Sequence, residues 1–219
     1  MKTALVIGGT GLVGNQLIDL LLNDNRYNLF KSFVRRPSSR IHNKLKEIIV
    51  DFDKPREWQS ELKGDDLFSC LGTTIKTAGS KEAQYIVDYS YQYQTAKAAS
   101  DNGVSNYVLV SSTGANPNSK VFYSRMKGEL DRDVKLLAFN KIGIIKPSVL
   151  DGNRLEKRRA EKFAIILMGL SAKVLPFTRK YRPIHAEIVA KAMINAANVK
   201  LSGKVEYELE EVFHLAKEV

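Results

Sequence analysis

Short apolar runs alternate with longer amphipathic stretches along the chain. Ala4-Leu5-Val6-Ile7 is continuously apolar, the pattern of a strand covered on both faces. From Leu12 to Leu22 the residues Leu12, Val13, Leu17, Leu20 and Leu21 recur at helical spacing. Further strands are expected at Leu29–Val34, Ile48–Val50, Asp66–Leu71, Tyr107–Val110 and Ile142–Ile145, with a last short one at Glu206–Leu209. Helices are expected over Gln84–Ser100, closed by Asn102-Gly103, over Tyr123–Phe139 and over Ala186–Ala197.

Strands that alternate with helices imply right-handed βαβ units and a doubly wound parallel α/β sheet of Rossmann type, with helices on both faces. No repeat, low-complexity stretch or linker interrupts the pattern, so residues 1–219 read as one domain, with the substrate-side elements mainly in 147–219. In such sheets the ligand lies beyond the carboxyl ends of the strands. The residues just after each strand therefore carry the chemistry.

Gly8-Gly9-Thr10-Gly11-Leu12-Val13-Gly14 follows the first strand and opens the first helix. Gly8 allows the sharp turn, Gly11 lets the backbone approach a pyrophosphate, and Gly14 lets helix and strand pack closely. The helix start adds free amides and the positive end of its dipole. A glycine-rich turn with no ligand is the alternative. After the second strand stands Arg35-Arg36-Pro37, with no acid to bind a ribose 2′-hydroxyl. Two guanidiniums match the 2′-phosphate of NADP(H) in charge and geometry, which predicts NADP(H) over NAD(H). Solvated surface arginines are the alternative. Asp51-Phe52-Asp53 follows the third strand, and Cys70-Leu71-Gly72-Thr73-Thr74 the fourth. Gly72 permits a second close backbone approach to the cofactor. Cys70 reads as a small thiol at a buried strand end, with no positioned base to make it a nucleophile.

Tyr123 and Lys127 are spaced i, i+4 and share one helix face. A lone phenol is a poor acid–base group at neutral pH; a nearby ammonium stabilises its phenolate. Such a tyrosine can exchange a proton with a carbonyl or alcohol oxygen while hydride moves to or from nicotinamide. Ser111 and Ser112, at the end of the fifth strand, are candidates to hold that oxygen.

Composition changes this picture little. No apolar run reaches the ~18 residues of a membrane span, and Phe163–Leu170 is the longest candidate. The start of the chain does not resemble a signal peptide, which makes a cytoplasmic location the default expectation. Cys70 is the only cysteine, and His42, His185 and His214 lack metal-ligand spacing. The net charge of +10 admits anionic partners, but no basic run is interleaved with aromatics, which speaks against nucleic acid. The cluster Arg154, Lys157, Arg158, Arg159 and Lys162 is a solvated helix face, a cap selecting an anionic substrate, or a partner contact.

These residues together resemble the short-chain dehydrogenase/reductase superfamily in its atypical, extended-like branch, most of all the Tat-interacting oxidoreductase group and its bacterial relatives. The likeness runs through Gly8 to Gly14, Arg35 and Arg36, Cys70 to Thr74, Ser111-Ser112, Tyr123/Lys127 and Lys146-Pro147-Ser148-Val149-Leu150, and into Arg182-Pro183-Ile184-His185-Ala186. It implies NADP(H) as cofactor and Tyr123, Lys127 and a serine as catalytic residues, with Ser112 favoured over Ser111. It further implies Asp51 at the adenine, Leu71-Gly72 along the cofactor, Lys127 at the ribose, and Pro147 and Val149 on the nicotinamide side. Dimers are common in the family. Two departures stand out: Cys-Leu-Gly-Thr-Thr replaces an Asn-Asn-Ala-Gly-like motif, and the C-terminal region is short for a nucleotide-sugar substrate. The expected function is a reductase or dehydrogenase of a small carbonyl or alcohol. A non-catalytic NADP(H) sensor or scaffold is the alternative, and a sugar-nucleotide epimerase a third.

Overall fold

The computed structural model describes residues 1–151, 182–200 and 202–217. The basic cluster Arg154–Lys162 and the apolar stretch Phe163–Leu170 lie outside the described residues.

The strands β1 (Lys2–Ile7), β2 (Tyr27–Val34), β3 (Leu45–Ile49), β4 (Asp66–Ser69), β5 (Asn106–Val110), β6 (Lys141–Lys146) and β9 (Gly203–Glu208) form a seven-stranded sheet in the order β3-β2-β1-β4-β5-β6-β9. Every pairing in it is parallel. Two short strands that the apolar pattern did not announce, β7 (Leu150–Asp151) and β8 (Ile184–His185), pair in parallel outside this sheet.

The helices are α1 (Leu12–Asn23), α2 (Ile75–Ala78), α3 (Lys81–Tyr85), α4 (Tyr91–Asp101), α5 (Phe122–Val134), α6 (Ala186–Asn198) and α7 (Glu210–Leu215). A π turn at Ile86–Ser90 joins α3 to α4. The helix expected over Gln84–Ser100 is thus longer and interrupted, and that expected over Tyr123–Phe139 ends at Val134. Likewise the fourth strand stops at Ser69, which leaves Cys70 and Leu71 in the loop after it.

Both faces of the sheet are covered over its central strands, which is why β1 reads as a continuous apolar run, whereas the edge strands β3 and β9 are half-exposed and carry charged residues. Ala4 and Val6 of β1 pack with α1 and α6 on one side, while Leu5 and Ile7 pack with Trp58, Ala96 and Leu130 on the other. The same alternation recurs in β5, where Val108 faces the first layer and Tyr107 and Leu109 the second. Because the strands are parallel, the segments after Ile7, Ser69, Val110 and Lys146 all leave one edge of the sheet. The strand order reverses between β1 and β4, which puts the crevice of the doubly wound fold there.

Candidate functional site

Gly8 has a φ of +76°, a left-handed conformation that glycine adopts without strain. A Cβ there would come within 2.5 Å of the Cys70 carbonyl carbon and the Leu71 amide nitrogen. The turn after β1 therefore lies backbone against backbone on the loop after β4. A Cβ at Gly14 would run into the Gly8 carbonyl, so the first turn of α1 can close on the strand end only as glycine. Gly11 is the N-cap and offers no side chain; its amide donates to Gly8 O at 3.0 Å and its carbonyl accepts from Asn15 N at 2.9 Å. The amides of Leu12, Val13 and Gly14 form the open start of the helix, with no acceptor among the described residues. Thr10 is exposed beside this start, Leu12 is half-buried against the core, and Val13 turns fully inward. Concave amides of this kind are an anion-binding arrangement.

Arg35 and Arg36 lie just beyond β2, exposed and without an ion-pair partner among the described residues. Arg40 differs: it grips Asp19 and Asn15 on α1 and is held there. Asp51 is exposed, while the Phe52 ring is buried against Trp58 and stacked on Tyr91 at 5.3 Å. Only the backbone of Phe52 is thus available to a ligand, because core packing occupies its side chain. Tyr91 donates to Asp53 Oδ1 at 2.5 Å, and burial together with that carboxylate pushes its phenol up to about 12.

Cys70 points into the core with its sulfur 3.7 Å from Met193 Sδ, and burial pushes its thiol up to about 12. Leu71 packs on the second core layer, and Gly72 is exposed. Thr73 donates its amide to Asp88 Oδ2 at 2.7 Å, and its carbonyl accepts from Gln84 Nε2 at 3.1 Å. After β6, Pro147 is buried and its carbonyl accepts from Thr113 N at 3.1 Å. Val149 is half-buried, and its carbonyl accepts from Ile184 N at 3.0 Å.

Tyr123 lies in the first turn of α5 and is 42% exposed. Lys127, one turn on, is 3% exposed and pairs with Asp88 Oδ1 at 3.1 Å. Burial alone would lower the lysine; Asp88, Tyr123 and Asp131 outweigh it and hold the ammonium above its ordinary value. The two serines part company. Ser111 is buried and donates to Asp131 Oδ2 at 2.8 Å, whereas Ser112 is half-buried and among the described residues its hydroxyl reaches only the neighbouring Thr113 carbonyl, at 3.3 Å. Asp131 also meets Lys146 at 3.4 Å, and Lys146 meets Glu206 at 2.6 Å.

Reasoning from the sequence missed Asp88 and Asp131, and named Lys146 only as the start of the stretch Lys146–Leu150, without its partners. A signal for the two carboxylates was present. Asp131 follows Tyr123 and Lys127 at the same four-residue step, and Gln84, Asp88 and Gln92 make a polar row at that step on a helix otherwise rich in tyrosine and alanine. What that spacing does not give is the opposing partner.

Residues 8–138 match the NAD(P)H-binding family model. Among curated proteins the chain is 33% identical to "Protein fmp52, mitochondrial" of Aspergillus niger, over 97% of this chain and 94% of that one. It is 35% identical to the Emericella nidulans protein of the same name, over 98% and 95%. The fold is shared with MoeE5 in complex with UDP-glucuronic acid and NAD (TM-score 0.71, 17% identity, 94% of this chain and 76% of that one). It is also shared with an Agrobacterium tumefaciens short-chain dehydrogenase/reductase superfamily protein with bound NAD (TM-score 0.68, 14% identity, 94% and 77%). The relatives' names overturn the cytoplasmic expectation: these near-full-length matches are named as mitochondrial proteins, while the expectation was only a default with no positive observation behind it. The glycine turn, the parallel sheet and these matches together place the chain in the NAD(P)H-binding family, as a Rossmann-fold protein related to the fmp52 proteins.

Proposed function

We propose that the chain is an NADP(H)-dependent oxidoreductase acting on a small carbonyl or alcohol, with Tyr123 as its acid–base residue. One observation carries this reading: Ser112, half-buried, follows β5 at the sheet end where the glycine-rich turn Gly8–Gly14 follows β1, and the helix after it carries Tyr123, 42% exposed, with Lys127 one turn on.

The residues fit a dinucleotide in their chemistry. The amides of Leu12, Val13 and Gly14 would hold its diphosphate, with Thr10 and Gly11 alongside. Arg35 and Arg36 would take the 2′-phosphate, and Asp51 would stand at the adenine. The Cys70–Thr73 loop, Lys127, Pro147 and Val149 would line the remainder. When bound, a nicotinamide accepts or supplies hydride.

The chain's own part is proton transfer and orientation. Tyr123 gives its phenolic proton to a substrate oxygen in reduction, or takes it in oxidation. The Ser112 hydroxyl donates a hydrogen bond to the same oxygen. Ser112 is favoured over Ser111 for this role, because the Ser111 hydroxyl already donates to Asp131. Lys127 contributes positive charge behind the phenol.

A panel of small aldehydes, ketones and alcohols with NADPH or NADP⁺ tests this. The expected result is turnover by the wild type that falls at least ~100-fold in Tyr123→Phe, the scale of general acid–base catalysis. Turnover that survives the substitution rejects the mechanism. A second reading, a cofactor sensor without turnover, draws on the Lys127–Asp88 pair, which directs the lysine's charge toward a carboxylate. It predicts NADPH binding with no turnover across the panel.

A further inference from the structure

The helix joining β4 to β5 is widened by a π turn at Ile86–Ser90, and Asp88 sits in that turn. π turns inside helices recur at functional sites because the extra residue re-aims a side chain. Here three polar side chains of this helix, Gln84, Asp88 and Gln92, are buried and face the end of β4. Gln84 Nε2 donates to the Thr73 carbonyl at 3.1 Å, Asp88 Oδ2 accepts from the Thr73 amide at 2.7 Å, and Gln92 Oε1 accepts from Ser69 Oγ at 2.6 Å. Gln92 Nε2 also donates to the Asp88 main-chain carbonyl at 2.7 Å, which fixes the turn. The second carboxylate oxygen of Asp88 meets Lys127 Nζ at 3.1 Å, with the two side chains 1% and 4% exposed. A Cβ on Gly72 would lie 3.5 Å from that oxygen, so the loop passes directly over the pair.

A buried carboxylate with one oxygen on a loop amide and the other on an ammonium sets both positions at once. We propose that Asp88 is a positioning residue that ties Lys127 to the Gly72–Thr73 loop and governs how much of the lysine's positive charge reaches Tyr123. The importance of this for turnover rests on the reading of Tyr123 and Lys127 as the acid–base pair. Among the described residues, the charged and titratable groups that act most on Lys127 are Asp88 from the π turn and Tyr123 and Asp131 from α5. Lys146 of β6 stands behind Asp131. Asp131 has Ser111 and Lys146 as its own partners, so Asp88 is the carboxylate paired directly with Lys127. Neutralising it leaves the ammonium's field on the phenol uncompensated on that side.

Protein labelled with carbon-13 at tyrosine Cζ, titrated by NMR, tests this without cofactor or substrate. The chain has nine tyrosines, and Tyr123 is assigned as the signal missing from Tyr123→Phe. In Asp88→Asn the Tyr123 midpoint is expected about one pH unit below that of the wild type, or roughly tenfold more phenolate at a given pH below both midpoints. Asp88→Glu is expected to return it toward the wild-type position. Should Asp88→Asn not fold, Asp88→Ser, whose hydroxyl can still accept from the Thr73 amide, carries the same expectation. An unmoved Tyr123 midpoint in a folded Asp88 variant overturns the inference, since a purely structural Asp88 would alter stability and not the phenol. A chain that binds no dinucleotide and turns nothing over would sink the proposed activity and leave this titration intact.

Discussion

Ser111 donates its hydroxyl to Asp131 Oδ2 at 2.8 Å, inside the protein, where the other carboxylate oxygen has no hydrogen-bond partner among the described residues. Removing that hydroxyl strips a buried charge of a hydrogen bond. Ser111→Ala is therefore expected to cost about 1.5–3 kcal/mol of stability. Ser112→Ala is expected to change stability by less than about 0.5 kcal/mol and to lower turnover. Chemical unfolding and the carbonyl panel together check this, and a reversed pattern would assign the substrate contact to Ser111.

Asp131 also gives the chain a pH dependence. Burial raises its carboxyl above the ordinary range, against the pull of Ser111, Lys146 and Lys127. A raised folded value means the folded chain holds the proton more tightly than the unfolded one. The corresponding stability is fully present below the unfolded value, near 3.9, and is lost as pH rises through the folded value. Unfolding free energies of wild type and Asp131→Asn across pH 3.5–7 should diverge in that sense. Parallel curves would refute it.

Gly8→Ala is expected to destabilise the fold by roughly 2–4 kcal/mol, since it combines a left-handed conformation with a Cβ driven into the Cys70–Leu71 backbone. Denaturant midpoints measure this, and a loss under about 0.5 kcal/mol would mean the two loops do not meet as described.

The thiol of Cys70 should be inert in the folded chain. Pushed up to about 12, it is thiolate in only about one molecule in ten thousand at pH 8. Iodoacetamide at pH 8 is expected to label it only after unfolding. Fast labelling of the native protein would restore Cys70 as a candidate nucleophile.

Much of this was legible in the chain itself. The four-residue apolar run before Gly8 and the glycine spacing located β1, the turn and α1 because two-sided burial and close packing leave few other residue choices there. Tyr123 and Lys127 were readable for a similar reason, as helical spacing fixes their common face. The Lys127–Asp88 pair was not, because its members are 39 positions apart and only the packing of the π turn on α5 brings them together. Nor could spacing tell Ser111 from Ser112. Adjacent residues at a strand end point opposite ways, and which one turns inward depends on where Asp131 sits.

Arginine charge after β2 should select the cofactor. Arg35→Ala/Arg36→Ala is expected to weaken NADPH roughly 10- to 100-fold, the worth of one or two charged hydrogen bonds, and to leave NADH nearly unchanged. Equal losses for the two cofactors would show that the arginines do not read the 2′-phosphate.

The most direct test of the account is a fluorescence titration of purified wild-type protein with NADPH, paired with thermal unfolding at saturating cofactor. Saturable binding, tighter for NADPH than NADH and accompanied by a higher Tm, is the predicted result. No change in cofactor fluorescence, and no stabilisation by either dinucleotide at millimolar excess, would contradict it.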